Sequence, residues 1–249
     1  MTSPLIEIKD VSFSFGGDMV LENVSFVIQK GDYVGVIGPN GGGKTTLLKI
    51  LVGLLSPKSG TVTVSGMSPD VSRRTFEIGY VPQRAAQDVP SFPVTVYEIV
   101  ESGRIAKKGL FDRMREADEA AIEKALAVAG IANLKDVLMS NLSGGQRQRA
   151  YMARALAGEP KILILDEPFV GVDVATQKEF YAFLRELNEK HGLTIIFVSH
   201  DIDVVTQEAK SILCLNRGLL CFGSSQLLKE PHVAEMLYGK KITHLHQEP

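Results

Sequence analysis

The sequence predicts an α/β fold with a largely parallel central sheet, an N-terminal antiparallel β subdomain and an inserted α-helical subdomain. Three observations support this prediction: alternating apolar and polar residues near the start, three short apolar runs further along, and a helix-favouring stretch in the middle. Alternation is typical of strands with one buried face, whereas short apolar runs are typical of parallel strands that are covered on both faces.

The individual elements follow in chain order. The alternating segments are LIEIKDVSFSF and LENVSFVIQK, and the apolar runs are YVGVIG, KILILD and TIIFVSH. The stretch READEAAIEKALAVAG is rich in Ala, Glu and Leu, so we expect helices between roughly residues 88 and 157. These assignments predict one domain at 5–238, comprising an α/β core at 5–87 and 158–238, a helical subdomain at 88–157, and a short C-terminal extension at 239–249.

The strongest motif is GPNGGGKTT, which fits G-x-x-x-x-G-K-[ST] between a predicted strand and a predicted helix. Glycines let consecutive N–H groups turn inward around phosphate oxygens, and the following helix presents its positive dipole end to the same anion. We expect Lys44 to reach the β and γ phosphates and Thr45 to bind Mg²⁺. The predicted phosphate-binding residues are Gly38, Pro39, Asn40, Gly41, Gly42, Gly43, Lys44, Thr45 and Thr46. The motif predicts a P-loop NTPase (RecA-like) core, without separating kinases, GTPases and ATPases.

A second motif is the acidic pair in ILILDEP, at the carboxyl end of a predicted buried strand. Open α/β sheets bind ligands at that edge. Because neighbouring strand side chains alternate in direction, we expect Asp166 to hold the Mg²⁺ shell and Glu167 to act as general base towards a water molecule. An alternative is that the pair only caps the next helix. The guanine-reading Asn/Lys-Asp signals of a GTPase are not found in the sequence.

A third motif, NLSGGQRQRA, places Ser143, Gly144 and Gly145 at the start of a predicted basic helix. A hydroxyl, exposed N–H groups and the helix dipole together predict another anion site. The alternative is a simple helix N-cap followed by permissive glycines.

With Gln83 in GYVPQ, Asp173 in FVGVD and His200 after TIIFV, the motif order resembles that of the ATP-binding-cassette (ABC) transporter ATPases over nearly the whole chain. The resemblance implies ATP hydrolysis with ATP and Mg²⁺ as cofactors. It also implies that Phe15 stacks on adenine, Gln83 binds Mg²⁺, Asp173 follows a dimer seam, and His200 contacts the γ phosphate and the attacking water. The signature residues Ser143, Gly144, Gly145 and Gln146 would face the nucleotide of a second chain.

The same resemblance predicts partners and location. We expect a head-to-tail homodimer with two ATP molecules at its interface, docked on integral-membrane permease subunits and served indirectly by an extracytoplasmic substrate-binding protein. Since no run approaches the roughly 18 apolar residues that span a bilayer, we expect a peripheral subunit at the cytoplasmic face of the cell (inner) membrane. The formal net charge of −2 gives no basic excess for nucleic acid, so no nucleic-acid partner is expected.

The cargo is predicted from segments such as PSFPVTVYEIV and DEPFVGVD, which resemble those of zinc and manganese importer ATPases. Importers of iron chelates or cobalamin are the alternative, and a soluble non-transport ATPase of the cofactor-assembly type is a second one. His244 and His246 suggest a metal-sensing hypothesis, against the simpler interpretation of a polar tail.

Two further expectations concern side-chain states. Cys214 and Cys221 lie in apolar, strand-like surroundings, which predicts two reduced core thiols. A basic cluster is expected to form a solvated face, with contact to lipid or permease as the alternative. Its members are Arg104, Lys107, Lys108, Arg113 and Arg115.

Overall fold

The structure is a computed structural model that describes residues 3–74, 77–83, 85, 92–108, 114–168, 174–229 and 237. The chain forms two compact units. The first comprises Met1–Pro69 and Thr194–Pro249, and the second is Asp70–Leu193. The predicted subdomain boundaries near residues 88 and 157 stay predictions.

The first unit contains both kinds of predicted strand. Its elements are β1 (Ile6–Phe15), β2 (Asp18–Ile28), β3 (Tyr33–Ile37), α1 (Lys44–Leu51), β4 (Ser59–Val64), β7 (Thr194–Val198), α7 (Ile202–Glu208), β8 (Ser211–Asn216) and β9 (Gly218–Ser224), with a 3-10 turn at Ser225–Lys229. The short helix α2 (Pro69–Arg74) follows β4 in the chain.

An antiparallel sheet in the order β2-β1-β4 is built from the alternating N-terminal segments. In its register Ile6 lies opposite Ile28 of β2 and Val64 of β4, and all three side chains are buried. The alternation places these apolar residues on one face, while residues such as Glu22 and Lys9 lie on the exposed side. The prediction of N-terminal antiparallel strands is confirmed.

The buried strand β3 is the centre of the second sheet of this unit. It pairs in parallel with β7 on one side and β8 on the other, and β9 continues the sheet antiparallel to β8. All five residues of β3 and of β7 are buried, as their uninterrupted apolar runs predict. Gly35 of β3 lets α7 pack closely on the strand, because a Cβ atom at this position would lie 2.5 Å from the Val205 side chain.

The second unit contains the predicted helical segment. Its elements are β5 (Ile78–Val81), α3 (Val96–Lys108), α4 (Glu116–Val128), α5 (Gly144–Ala157), β6 (Ile162–Leu165) and α6 (Val174–His191), with 3-10 turns at Ala132–Leu134 and Met139–Asn141. Strands β5 and β6 pair in parallel. The apolar faces of α3, α4 and α5 form one core that includes Val100, Ile122 and Ala150.

The prediction of two reduced cysteines is wrong, because Cys214 and Cys221 form a disulfide. The reason is the register of the β8–β9 hairpin. A connection of one residue, Arg217, reverses the chain, and the two cysteines become direct cross-strand partners with their Cα atoms 4.8 Å apart. That separation lies within the usual range for disulfides.

The prediction of a solvated basic face is wrong for Arg104, which is buried. Its guanidinium donates to Asp118 at 2.9 Å, to Glu159 at 2.8 Å and to the carbonyl oxygen of Ala157 at 3.2 Å. Burial lowers the pKa of the Arg104 guanidinium, but the hydrogen bonds to Asp118 and Glu159 outweigh that effect and leave the pKa raised. The side chains of Lys107, Lys108 and Arg113 lie outside the described residues, and Arg115 is exposed.

Among the helices of the described residues, none is long and apolar enough to cross a membrane.

Candidate functional site

The P-loop, residues 38–46, connects β3 to α1 in the first unit. A Cβ atom at Gly38 would overlap the carbonyl oxygen of Leu215, at the end of the neighbouring strand β8. The loop is further held by a backbone hydrogen bond of 3.0 Å from the Arg217 N–H to the carbonyl oxygen of Gly42. The start of the loop is therefore packed directly on the β8–β9 hairpin, which only glycine at position 38 permits.

The amino group of Lys44 is held by the loop itself. Its Nζ donates to the carbonyl oxygens of Gly38 at 2.8 Å and Pro39 at 3.0 Å, and the side chain is buried. Helix α1 begins directly after Gly43, whose φ of 95° is left-handed, and no side chain caps this end of the helix. The N-terminus of α1 and the buried ammonium of Lys44 therefore both belong to the loop for which the motif predicts phosphate binding, and that role stays a prediction.

Two other predicted residues belong to the first unit. His200 follows β7, and because β7 and β3 are parallel neighbours, His200 and the P-loop lie at the same edge of this sheet. His200 is exposed. Phe15 is the last residue of β1, and 53% of its surface is exposed. Among the ring contacts of the described residues, Phe15 has one, an edge-on contact with Phe13 at 4.8 Å between the ring centroids. An exposed aromatic face suits stacking on a base.

Asp166 and Glu167 lie in the second unit, directly after β6. Asp166 is 1% exposed, its backbone N–H donates to the carbonyl oxygen of Val81 at 3.0 Å, and its carboxylate accepts a hydrogen bond from the Tyr80 hydroxyl. Burial, followed by the charge and the hydrogen bond of Asp166, raises the pKa of Tyr80 well above its ordinary value. The phenol is therefore protonated at neutral pH and acts as a donor.

Glu167 occupies a different environment from its neighbour. Its φ of 47° lies in the left-handed region, so the strand alternation from which we expected its direction does not extend to this residue. The side chain is half-buried, and the Gln83 amide donates to its Oε2. Gln83 was expected to bind Mg²⁺; here its amide nitrogen holds the acidic side chain, which leaves the amide oxygen as the group that could bind a cation.

Ser143 is the N-cap of α5, as the simpler hypothesis for this motif predicts. Its Oγ accepts from the Gln146 N–H at 3.3 Å, while the Gln146 side chain accepts from the Ser143 N–H at 2.9 Å. This reciprocal capping box fixes the start of the helix. A Cβ at Gly144 would meet no atom within 4 Å, so this part of the helix start is open to an approaching group.

Some predicted positions lie outside the described residues, namely Asp173, His244 and His246. Among the described residues, no group of three or more His, Cys, Asp or Glu side chains could hold a metal ion. Tyr80 is a neighbour of Asp166 that the sequence motifs did not indicate. In the sequence, the one feature of Tyr80 that could have indicated this is its position three residues before Gln83. The pairing of β5 with β6 is needed to place Tyr80 opposite Ile164, two residues before Asp166.

A P-loop after a parallel strand, together with an acidic pair at the end of another parallel strand, defines a P-loop NTPase. A family model described as ABC transporter matches residues 21–170. The chain belongs to this family, whose nucleotide-binding domain binds ATP.

Individual relatives and solved structures agree with this assignment. The high-affinity zinc uptake system ATP-binding protein ZnuC of Bacillus subtilis is 41% identical over 214 residues, covering 86% of this chain and 92% of the relative. The zinc uptake system ATP-binding protein ZurA of Listeria innocua is 38% identical over 221 residues, covering 89% and 86%. A metal-chelate type ABC transporter in an inward-facing conformation superposes with a TM-score of 0.83 at 28% identity, covering 95% of this chain and 90% of that one.

A second structure is a dimeric ATP-binding cassette, MJ0796, in a post-hydrolysis state with ADP and phosphate. It superposes with a TM-score of 0.74 at 29% identity, covering 88% of this chain and 98% of that one. The predicted fold, a P-loop core with antiparallel β and helical subdomains, is confirmed by these neighbours.

Proposed function

We propose that this chain is the ATP-hydrolysing subunit of a multi-subunit importer for a divalent transition metal, and that the importer prefers zinc to manganese. The observation that carries the hydrolytic assignment is the geometry of Glu167. A half-buried carboxylate with a left-handed backbone, at the end of a buried strand and in contact with Gln83, is a strained arrangement. Strain of this kind is concentrated at functional sites.

The phosphate chain of ATP would be bound by the P-loop and Lys44. The N-cap Gly43 of α1 makes no side-chain cap hydrogen bond, and the N-terminus of a helix favours phosphate through its N–H groups and its positive dipole end. Lys44 lies buried beside this helix end, where its charge is attracted to the same anion. Phe15 would stack on the adenine, using its exposed ring face.

The residues assigned to Mg²⁺ fit that ion chemically. Thr45 supplies a hydroxyl, Asp166 a carboxylate and Gln83 an amide oxygen, and hard oxygen donors are the ligands that Mg²⁺ prefers. When bound, the ion would neutralise charge on the β and γ phosphate oxygens.

Glu167 would take the proton of the attacking water, and His200 would hydrogen-bond the γ phosphate and position that water. General base catalysis of this type contributes about 10²–10⁴-fold to a rate. The Gln83 amide donates to one oxygen of Glu167, so Gln83 would hold the base in place. Asp173 would lie in a loop along the dimer interface.

The helix start at Ser143, Gly144, Gly145 and Gln146 would complete the nucleotide site of a second chain, giving a head-to-tail homodimer around two ATP molecules. The dimeric, post-hydrolysis form of MJ0796 supports this arrangement. ATP would favour the closed dimer and hydrolysis would release it, which is a population shift through differential affinity.

The names of the relatives support the proposed cargo. Proteins named for zinc uptake or zinc import are 35–41% identical over most of the chain, which favours zinc over iron chelates, cobalamin or a soluble assembly role. The chain would act at the cytoplasmic face of the cell membrane, docked on permease subunits, with an extracytoplasmic binding protein delivering the metal.

The test begins with the tagged chain purified from detergent-solubilised native membranes without nucleotide, followed by mass spectrometry of stoichiometric partners. We expect a multi-spanning permease. The complex and its binding protein, reconstituted in proteoliposomes, should then transport Zn²⁺ faster than Mn²⁺, a ferric chelate or cobalamin. A soluble partner with no membrane protein would contradict the transporter assignment.

A further inference from the structure

The disulfide between Cys214 and Cys221 lies beside the strand that enters the P-loop. In the parallel register of β3 and β8, Cys214 is opposite Ile37, the residue directly before Gly38. In the hairpin, Cys214 is also the cross-strand partner of Cys221, to which it is covalently bonded. The disulfide therefore joins the neighbouring strand of the P-loop to β9.

The tip of the hairpin, residues 215–219, supports the P-loop from one side. A Cβ atom at Gly38 would overlap the carbonyl oxygen of Leu215, and a Cβ atom at Gly42 would lie 3.0 Å from the same oxygen. The Arg217 N–H donates to the carbonyl oxygen of Gly42 at 3.0 Å. The loop for which the motif predicts phosphate binding is therefore packed against the backbone of the hairpin tip.

An irregularity in the pairing separates the tip from the rest of the hairpin. The register of β8 on β9 shifts between Cys214 and Leu215, and Leu220 has no opposite residue in that register. Beyond the shift, the ladder of the tip consists of two residue pairs. A ladder this short is marginally stable by itself. The disulfide lies at the position where the pairing is interrupted, so it is the covalent constraint on the tip.

The two cysteines differ in their access to solvent. Cys214 is 0% exposed, whereas Cys221 is half-buried. Thiol–disulfide exchange begins with the attack of a thiolate on one of the two sulfur atoms, and its rate depends on access to that atom. The Cys221 side of the bond is therefore the side that a thiolate from solution can approach.

We propose that the Cys214–Cys221 bond is a redox site, and that its reduction by a dithiol weakens nucleotide binding at the P-loop. This inference rests on the proposed function, in which the P-loop binds ATP. The proposed function also places the chain at the cytoplasmic face of the membrane. Disulfides are rare in the cytosol, and those that form there are usually transient and catalytic or redox-sensing.

The reduction is balanced in two exchange steps. A thiolate of the dithiol attacks the Cys221 sulfur, the disulfide bond breaks, and its electron pair leaves on the Cys214 sulfur, which takes up a proton. The second thiolate of the reductant then attacks its own sulfur in the mixed disulfide and releases Cys221, which also takes up a proton. The reductant becomes a disulfide, and two electrons and two protons pass to the protein.

Reduction and nucleotide binding are coupled in both directions. If the closed hairpin favours the arrangement of the P-loop that binds nucleotide, reduction lowers the affinity, and bound nucleotide opposes reduction by the same factor. We expect a factor of about five, at the low end of typical couplings between sites. The factor is small because the Glu22 N–H of β2 donates to the carbonyl oxygen of Arg217 at 3.0 Å and continues to hold the tip.

The test measures both directions of this coupling in the full-length protein. The affinity of the fluorescent, non-hydrolysable analogue mant-AMP-PNP in MgCl₂ is compared between protein purified without reductant and the same protein in dithiothreitol. The equilibrium between disulfide and dithiol is measured in mixtures of reduced and oxidised dithiothreitol, by iodoacetamide labelling, with and without AMP-PNP. We expect about fivefold weaker analogue binding after reduction, and an equilibrium constant for reduction that is about fivefold smaller in saturating AMP-PNP.

The matched control is a Cys214→Ser, Cys221→Ser variant. The chain has two cysteines, so dithiothreitol has no thiol or disulfide to react with in this variant. It should bind the analogue as weakly as the reduced wild-type protein and should not respond to dithiothreitol. Far-UV circular dichroism verifies that the oxidised protein, the reduced protein and the variant are folded.

The outcomes separate this inference from the proposed function. Equal affinities in folded oxidised and reduced protein would overturn the redox site and leave ATP binding intact. If neither form binds the analogue, the proposed function fails, and the inference fails with it. Iodoacetamide labelling of both cysteines before reduction would overturn the inference, since no bond would be present. Unfolding on reduction would also overturn it, because the loss of affinity would then be a general structural effect.

Discussion

Glu167 joins a strained backbone to a hydrogen-bonded carboxylate. A non-glycine residue with a φ of 47° costs of order 1–3 kcal/mol, and this cost is maintained only when the surroundings determine the conformation. Here the buried strand β6 precedes the residue, the buried Pro168 follows it, and Gln83 holds the side chain. The two adjacent acids have different surroundings, since Asp166 is buried and Glu167 is half-buried with Gln83 as its partner, and they can therefore serve different purposes.

The first prediction concerns this carboxylate. Glu167→Gln should lower the ATP hydrolysis rate by about 10²–10⁴-fold, because an amide cannot accept the proton of the attacking water. The affinity for ATP should change little, since the amide keeps the shape of the side chain. Steady-state phosphate release and binding of a fluorescent ATP analogue measure the two effects. The matched control is Glu179→Gln, which changes an exposed glutamate of α6 and should hydrolyse ATP at the wild-type rate. A Glu167→Gln protein that hydrolysed ATP at the wild-type rate would refute the assignment of the base.

The sequence predicts site residues well where a motif contains its own geometry. The P-loop is such a case, since Gly38 to Thr46 are contiguous and the flanking strand and helix are visible in the pattern. Contacts between distant segments are different. The Gln83–Glu167 hydrogen bond joins residues 84 positions apart, and the Tyr80–Asp166 bond requires the register of β5 on β6. No local pattern contains that register, which depends on the pairing of the whole strands.

At the scale of elements, the β8–β9 hairpin connects a disulfide to the P-loop. Cys214 immediately precedes Leu215, whose carbonyl oxygen packs against Gly38, and Arg217 in the turn donates to Gly42. The sequence shows two cysteines seven residues apart in strand-like surroundings, but only a one-residue turn makes them cross-strand partners. A turn one residue longer would shift the register and separate them.

The second prediction is that this disulfide exists and stabilises the hairpin. Thiol titration of the unfolded protein should detect no free thiol without reductant and both cysteines after reduction. In the chain-entropy model, closing so short a loop contributes about 2 kcal/mol, so reductant should lower the free energy of unfolding by up to about that amount. A Cys214→Ser, Cys221→Ser variant is the control, since its unfolding should not respond to reductant. Two free thiols in protein purified without reductant would contradict the bond.

Arg104 has a comparable role among the helices. It extends from α3 to Asp118 in the first turn of α4 and to the carbonyl oxygen of Ala157 at the end of α5, so one buried side chain connects three helices. Asp118 in turn accepts from the backbone N–H of Arg115 and caps α4. The sequence shows only a basic cluster, and the partner Glu159 is 55 residues away.

The third prediction is that Arg104→Met lowers the free energy of unfolding by about 3–5 kcal/mol, because it leaves the Asp118 carboxylate buried without its counter-ion. Lys135→Met is the matched control. It removes an ion pair of similar length, 2.9 Å to Glu123, between side chains that are 41% and 48% exposed. Such a surface pair contributes about 0–1 kcal/mol. Urea unfolding followed by circular dichroism measures both variants, and equal losses would show that the Arg104 network does not stabilise the helical core.

At the scale of the whole molecule, the proposed function divides the nucleotide site between two chains. The P-loop and the Ser143 residue each precede a helix whose N-terminus favours an anion, yet a single chain is proposed to bind one ATP. Two identical chains resolve this difference if each provides its P-loop to one nucleotide and its helix start to the other. Closed symmetry of this kind gives two equivalent sites at one interface.

The fourth prediction follows from this arrangement and uses mixed dimers. Lys44→Ala removes the phosphate-binding amine, and Ser143→Arg blocks the helix start, so each variant alone should lose ATP hydrolysis. In a dimer of one chain of each kind, both defects fall on the same composite site, and the other site combines an intact P-loop with an intact helix start. An equal mixture should therefore recover about a quarter of the wild-type rate, since half of the dimers are mixed and each has one working site.

The phosphate-release rate is measured over a series of mixing ratios. In the control mixture, a Lys44→Ala, Ser143→Arg double variant replaces the Ser143→Arg chain. That control mixture has no dimer with an intact site and should stay inactive. If the two single variants also fail to complement each other, although cross-linking shows that mixed dimers form, Ser143 acts within its own chain and the head-to-tail arrangement is refuted.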